Sequence, residues 1–165
     1  MYDKLTKSDI QKMEEEIEHR KLVIRPKALD DLKEARSHGD LSENFEYYAA
    51  KRFKNQNESR IRYLNNMIRT AKIISDDSAD DEVGLDNLVT ISFLDDGSTE
   101  DYRLVTTVRA NSLKGCITPE SPLGRALMKR KVGDVVHVTV SNTDSYDVKI
   151  VRITKTDDDI ALNHF

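Results

Sequence analysis

The sequence predicts an α+β protein: a long antiparallel helical hairpin, then a small domain of strands with one short helix. Three observations carry this reading. Apolar residues from Lys7 to about Arg36 recur three, four and seven apart. A second stripe of the same kind runs from about Leu41 to Ile74. Beyond Gly84 the apolar residues fall in short, partly alternating runs divided by Gly, Asn, Asp and Ser, which is the pattern of strands and hairpins. Of 165 residues, 34% are charged and 38% hydrophobic. The first figure exceeds the ordinary quarter and the second is below average. Much surface, a modest core and an elongated shape are therefore expected.

In the first stripe, Ile10, Met13, Ile17, Ile24, Ala28, Leu32 and Ala35 fall on one helical face. Arg20 interrupts it. Pro26 lies inside the pattern, lacks a backbone donor and disfavours helix at Arg25, so a kink or brief break is expected there. The second stripe is cleaner, with Ile61, Leu64, Ile68 and Ala71 continuing backwards through Asn57, Lys54, Ala50 and Tyr47. A helix from Leu41 to Ile74 would be about 50 Å long at the α-helical rise. Only Ser37, His38, Gly39 and Asp40 separate the two helices, and so short a connection makes them antiparallel neighbours. Such an arm suits reaching into something, although a dimerisation or spacer coiled coil has the same periodicity.

The segment SDDSADDEVG, Ser75 to Gly84, is acidic and poor in apolar residues, so it reads as a linker. The expected organisation is a hairpin domain over 1–75, an acidic linker over 76–84, a second domain over 85–154 and a disordered tail over 155–165. Residues 1–75 carry 16 Lys and Arg against 13 Asp and Glu, whereas 76–165 carry 10 against 17. In the second domain, strands are expected over Asn87–Leu94 and Thr99–Thr106 around the turn Asp95–Ser98. A second pair is expected over Val135–Val140 and Tyr146–Ile153, with a helix over Ser121–Lys129 between the pairs. Ser121 suits a helix N-cap and Pro122 the first helical position.

Several classes are set aside. No apolar run is long enough for a membrane span, and no signal-peptide core opens the chain. Cys116 is the only cysteine, so an internal disulfide is impossible and a reducing compartment is expected. Four scattered histidines and one cysteine do not make a zinc cluster. A net charge of −4 argues against a strongly basic nucleic-acid binder.

The tip carries the informative residues, ARSHGDLSENFEYYAAK from Ala35 to Lys51. Gly39 can supply a left-handed turn. Asp40 can cap the second helix, with Glu43 reaching back three residues later as in a capping box. The same geometry also places two carboxylates on one side at the tip. Two carboxylates with water can hold Mg²⁺, weakly on their own.

These residues resemble the bacterial Gre transcript-cleavage factors, GreA and GreB. The resemblance rests on Asp40-Leu41-Ser42-Glu43-Asn44 followed by Tyr47, Ala49, Ala50 and Lys51, with Arg25-Pro26, Ala35-Arg36 and His38-Gly39 upstream. A second block, Glu120 to Leu127 and then Val132-Gly133-Asp134, lies in the C-terminal half. The likeness covers about residues 5–154, and the modest basic surplus of the hairpin leans towards GreA. It implies an FKBP-like fold for the second domain, without prolyl isomerase activity.

The resemblance also implies a function. The chain would be a cytoplasmic bacterial elongation factor that binds RNA polymerase and passes its tip through the secondary channel. It would stimulate Mg²⁺-dependent cleavage of the backtracked RNA 3′ end, an activity that belongs to the polymerase and not to an enzyme in this chain. Asp40 and Glu43 would be the metal-holding catalytic carboxylates, supported by Gly39, Leu41, Asn44 and Tyr47. Arg36, Lys51, Arg52 and Lys54 would line a path for RNA. Glu120, Ser121 and Pro122 would contact polymerase, and DNA would be met only within the elongation complex. A channel binder that does not promote cleavage, and a coiled-coil adaptor with no metal role, are the alternatives. Phe45, and a loop over 105–114, depart from the family pattern.

Overall fold

The computed structural model describes residues 3–39, 44–157 and 160–163. Two compact units are present: residues 9–71 make up most of the first, and Lys4–Ser8 with the chain from Lys72 make up the second.

The first unit is the helical hairpin. Its first arm comprises α1 (Lys7–His19), a π-helical turn (Arg20–Ile24) and α2 (Arg25–Ser37), and its second arm is α3 (Phe45–Thr70). Met13, Ile17, Ala28, Leu32 and Ala35 are buried as the stripe predicts, and so are Ile61 and Leu64 of α3. The kink or break expected at Pro26 takes another form: the helix widens by one residue and continues. In an α-helix Pro26 would leave the Leu22 carbonyl without a donor and press its ring against it. The wide turn avoids this, and the Arg25 amide donates to the Arg20 carbonyl five residues back.

No residue of the π turn is buried; a polar layer replaces the apolar stripe beside it. Glu16 accepts from Arg20 Nε at 2.8 Å and from Arg60 Nε at 2.8 Å. Asn57 accepts from Arg20 Nη1 at 3.0 Å and donates to the Arg20 carbonyl at 3.3 Å. Arg25 forms a two-pronged pair with Glu58 at 2.7 and 2.8 Å. Arg20, which interrupts the stripe in sequence, is thus a cross-arm partner.

The second unit holds two sheets. Strands β1 (Lys4–Leu5) and β2 (Lys72–Ile73) pair in parallel. The larger sheet has the order β5-β4-β3-β7-β6, built from β3 (Leu88–Phe93), β4 (Thr99–Leu104), β5 (Cys116–Ile117), β6 (Val135–Thr139) and β7 (Ser145–Thr154). The β3–β4 turn forms where Asp96 accepts from the Ser98 amide and hydroxyl and Gly97 adopts φ +73°. Helix α4 (Pro122–Leu127) lays Leu123 and Leu127 on a core of Val89, Ile91, Leu104, Val136, Val138, Val148 and Ile150.

Two expectations are corrected. The acidic stretch over 76–84 is not a free linker. Asp77 pairs with Lys129 at 2.5 Å and Asp81 with Lys131 at 3.2 Å. The Val83 amide donates to the Arg130 carbonyl, the Lys129 amide donates to the Val83 carbonyl, and Val83 is fully buried. The hydrogen bond from Lys129 holds the Asp77 carboxyl below its usual range.

The tail from Lys155, expected to be disordered, is packed over its described residues. Lys155 Nζ donates to Ser78 Oγ, the Glu82 carbonyl and Asn87 Oδ1 at 3.0, 2.7 and 2.9 Å. Leu162 is buried, and Asn163 donates to the Val108 and Ala110 carbonyls at 2.8 and 2.9 Å. Lys155→Met is expected to lower the stability of this unit by about 1 kcal/mol, because three acceptors lose a charged donor near solvent. Urea denaturation followed by circular dichroism would measure it.

Candidate functional site at the hairpin tip

Helix α2 ends where the His38 amide donates to the Ala35 carbonyl at 3.3 Å and the Ser37 hydroxyl donates to the Glu34 carbonyl at 2.5 Å. Gly39 follows with φ +106°, in the left-handed range a glycine adopts most readily. Asp40, Leu41, Ser42 and Glu43 lie outside the described residues.

The chain is described again from Asn44, and this residue caps α3. Its Oδ1 accepts from the Tyr47 amide at 3.0 Å, and its Nδ2 donates to the Ala35 carbonyl at 2.8 Å. The expected helix start near Leu41, capped by Asp40 with Glu43 reaching back, is therefore corrected: α3 starts at Phe45 and its cap is Asn44. Asp40, Ser42 and Asn44 are all competent capping types. Asn44, the one that caps α3, also reaches a carbonyl of the opposite arm.

Two further contacts join the arms here. His38 Nδ1 lies 3.1 Å from Glu46 Oε2, and the Arg36 guanidinium sits 5.8 Å from the centre of the Tyr47 ring. Tyr47 packs edge-on to Tyr48 at 5.4 Å, while Phe45 is 86% exposed. Asp31, Glu34, Ala35, His38, Glu46 and Ala50 line a shallow hollow of about 300 Å³. Among the described residues no cluster of His, Cys, Asp and Glu is placed to hold a metal ion.

The electrostatics of α3 follow from its composition. Its two acidic residues, Glu46 and Glu58, both have cationic or titratable partners across the hairpin. The paired hydrogen bond from Arg25 holds the Glu58 carboxyl below its ordinary range. Lys51 and Arg52 are exposed and Lys54 is half-buried. Farther along, Arg62 and Arg69 donate to the neutral side chains of Ser59 and Asn66. The outward side of α3 is basic as a result. The Glu58 pairing was not legible in the sequence, since Arg25 lies 33 residues away.

In the second unit, Glu120, Ser121 and Pro122 form a rigid entry to α4. Ser121 Oγ accepts from the Gly124 amide at 3.1 Å and donates to the Thr118 carbonyl at 2.6 Å. Arg125 Nη2 donates to the Glu120 carbonyl at 3.1 Å. The Ser121 cap and the Pro122 position agree with the sequence reading.

Residues 4–73 match the family described as "Transcription elongation factor, N-terminal". Residues 70–155 match "Transcription elongation factor, GreA/GreB, C-term". Transcription elongation factor GreA of Macrococcus caseolyticus is 41% identical over 150 residues, which cover 91% of this chain and 95% of that one. The GreA of Bacillus licheniformis is 43% identical over 151 residues, covering 91% and 95%. Among solved structures, GreA factor homolog 1 of Thermus thermophilus is 26% identical with a TM-score of 0.43, covering 93% of this chain and 99% of that one. No helix among the described residues is long and apolar enough to cross a membrane. With both halves matched and such relatives spanning nearly its whole length, the chain belongs to the GreA/GreB family of transcription elongation factors.

Proposed function

We propose that this protein binds bacterial RNA polymerase in the cytoplasm, inserts its tip through the secondary channel and stimulates Mg²⁺-dependent cleavage of a backtracked RNA 3′ end. One observation carries the reading beyond family membership. Asn44 supplies the cap of α3, so the capping role that the spacing of Asp40 and Glu43 also suggested is filled by another residue.

The donor set fits Mg²⁺ in type, being hard oxygen donors, and is too small to hold the ion alone. The ion, once shared with the polymerase's own ligands, supplies positive charge at the scissile phosphate. The role of this chain is to deliver Asp40 and Glu43 and hold them there; the hydrolytic activity remains the polymerase's. Lys51, Arg52 and Lys54 on the basic side of α3, with Arg36 at the end of α2, attract the phosphates of the extruded RNA, an interaction that weakens with salt. Glu120, Ser121 and Pro122 form the contact of the second unit with polymerase. DNA is met only inside the elongation complex.

The test is a cleavage assay on stalled complexes assembled with purified bacterial RNA polymerase. Wild-type protein is expected to accelerate cleavage in Mg²⁺. Asp40→Asn, which lies outside the α3 cap, is expected to keep polymerase binding and lose at least tenfold in stimulated rate, about 1.4 kcal/mol. Full activity in Asp40→Asn would refute the carboxylate role.

A further inference from the structure

We propose that Asn44 is a positioning residue of the tip, one side chain that caps both arms and thereby sets how well the neighbouring carboxylates recruit Mg²⁺. The inference rests on the cleavage reading given above. Most N-caps serve a single helix. Here the acceptor end of the amide takes the Tyr47 N–H at the start of α3, and the donor end serves the Ala35 carbonyl at the close of α2. Only this orientation of the amide works, because the reverse would set N–H against N–H and oxygen against oxygen.

The Ala35 oxygen also receives the His38 amide, so the last turn of one arm and the first turn of the other share an anchor. His38 with Glu46, and Arg36 over Tyr47, make two looser joins on the same two helix ends. The first is exposed, its His38 and Glu46 side chains being 52% and 74% accessible, and the second sets exposed Arg36 over the half-buried Tyr47 ring without a hydrogen bond. Asn44 is half-buried and directly bonded at both ends, so among the described residues it is the join that ties the last turn of α2 to the first turn of α3. Glu43 is its immediate neighbour in the chain. Holding ligand-bearing segments in place beforehand lowers the cost of recruiting a partner.

Residue chemistry separates this role from helix capping. Ser caps α3 as well as Asn does, but is too short to reach the Ala35 carbonyl as well. Asp caps equally well and has no donor at all.

The experiment compares full-length wild type with Asn44→Ser and Asn44→Asp on stalled polymerase complexes. It reads the half-saturating Mg²⁺ concentration, the maximal stimulated rate, competitive binding to polymerase and the thermal melt. Both variants are expected to melt within a few degrees of wild type and bind polymerase normally, yet need about three- to tenfold more Mg²⁺ for half-maximal stimulation. An unchanged Mg²⁺ response in either variant overturns the proposal. So does a loss of rate that only follows a lowered melting temperature.

Hydrogen exchange over residues 32–39 supplies a readout independent of cleavage. Several-fold faster exchange in Asn44→Ser supports the double cap, and unchanged exchange overturns it. Failure of wild type to stimulate cleavage would instead sink the cleavage reading, leaving the exchange result to judge the clasp.

Discussion

Replacing Gly124 with alanine is expected to destabilise the second unit by about 3 kcal/mol or more. A Cβ there would lie 2.0 Å from the Thr118 carbonyl oxygen, 2.8 Å from Ser121 Oγ and 2.9 Å from the Thr118 carbonyl carbon. Two of these atoms belong to the backbone, so no side-chain rotation relieves the clash. The loop could retreat only by breaking the bonds that hold it, from the Ser121 amide and hydroxyl to Thr118 and from the Gly124 amide to Ser121.

Differential scanning calorimetry should show the transition of this unit falling by on the order of 10 °C. Gly133→Ala is the internal control. Its φ of +92° imposes a conformational cost, but no atom lies within 4 Å of the added carbon, so about 1 kcal/mol is expected. Equal losses in the two variants would show that the close approach at Thr118 is not decisive. Because Glu120, Ser121 and Pro122 lead directly into this helix, the polymerase contact proposed for them predicts that Gly124→Ala also weakens capture of polymerase.

Glu16→Gln is expected to destabilise the hairpin by about 3 kcal/mol. The Glu16 carboxylate is 14% exposed and serves two guanidinium groups, those of Arg20 and Arg60, whose side chains are 19% and 7% exposed. A neutral amide would remove the negative charge that Glu16 presents to both guanidinium groups beside Asn57. Burial by itself raises the Glu16 carboxyl, but the hydrogen bonds from Arg60 and Arg20, with their charges, outweigh it and hold the group below its ordinary value of 4.5.

A depressed folded-state pKa fixes the sign of the pH effect. The contribution is fully present above the unfolded value and is lost as pH falls through the lower, folded one. Acid titration followed by circular dichroism at 222 nm should therefore show wild type losing hairpin stability below about pH 4.5. Glu16→Gln should be less stable at neutral pH and flatter across that acid range. A variant matching wild type at pH 7 would mean the network contributes nothing net.

The hairpin stripe was legible because Met13, Ile17, Ala28, Leu32 and Ala35 bury one face of a regular period, and period is a local property of the chain. The strands were legible for the same reason, with Val136, Val138, Val148 and Ile150 alternating inward. What escaped depends on residues distant in sequence. The acidic composition of 76–84 signals solvation locally, but Lys129, Lys131 and Lys155 approach from far along the chain and hold it down. The helix start was misplaced because Asp40, Ser42 and Asn44 are equivalent by type. Asn44 also bonds the Ala35 carbonyl on the other arm, a contact that residue type does not reveal. Pro26 announced a disturbance, yet its form depends on backbone bonding that composition does not encode. Asp40 and Glu43 remain identified by motif alone.

The π turn over Arg20–Ile24 constrains how this arm can change over evolutionary time. Each residue added to or removed from an α-helix swings everything beyond it by about 100°. The ledges on either side of the turn, Met13 and Ile17 before it and Ala28 and Leu32 after it, both face the second arm. The wide turn holds one residue more than an α-helical turn, so a single-codon deletion inside it would return the arm to plain α-helix with both ledges still in phase, at the cost of the Pro26 clash, whereas a single insertion would aim one ledge at water. Apart from that one residue, descendants keep both ledges in phase by changing this stretch in steps of about seven, so its length should drift far less than its surface composition.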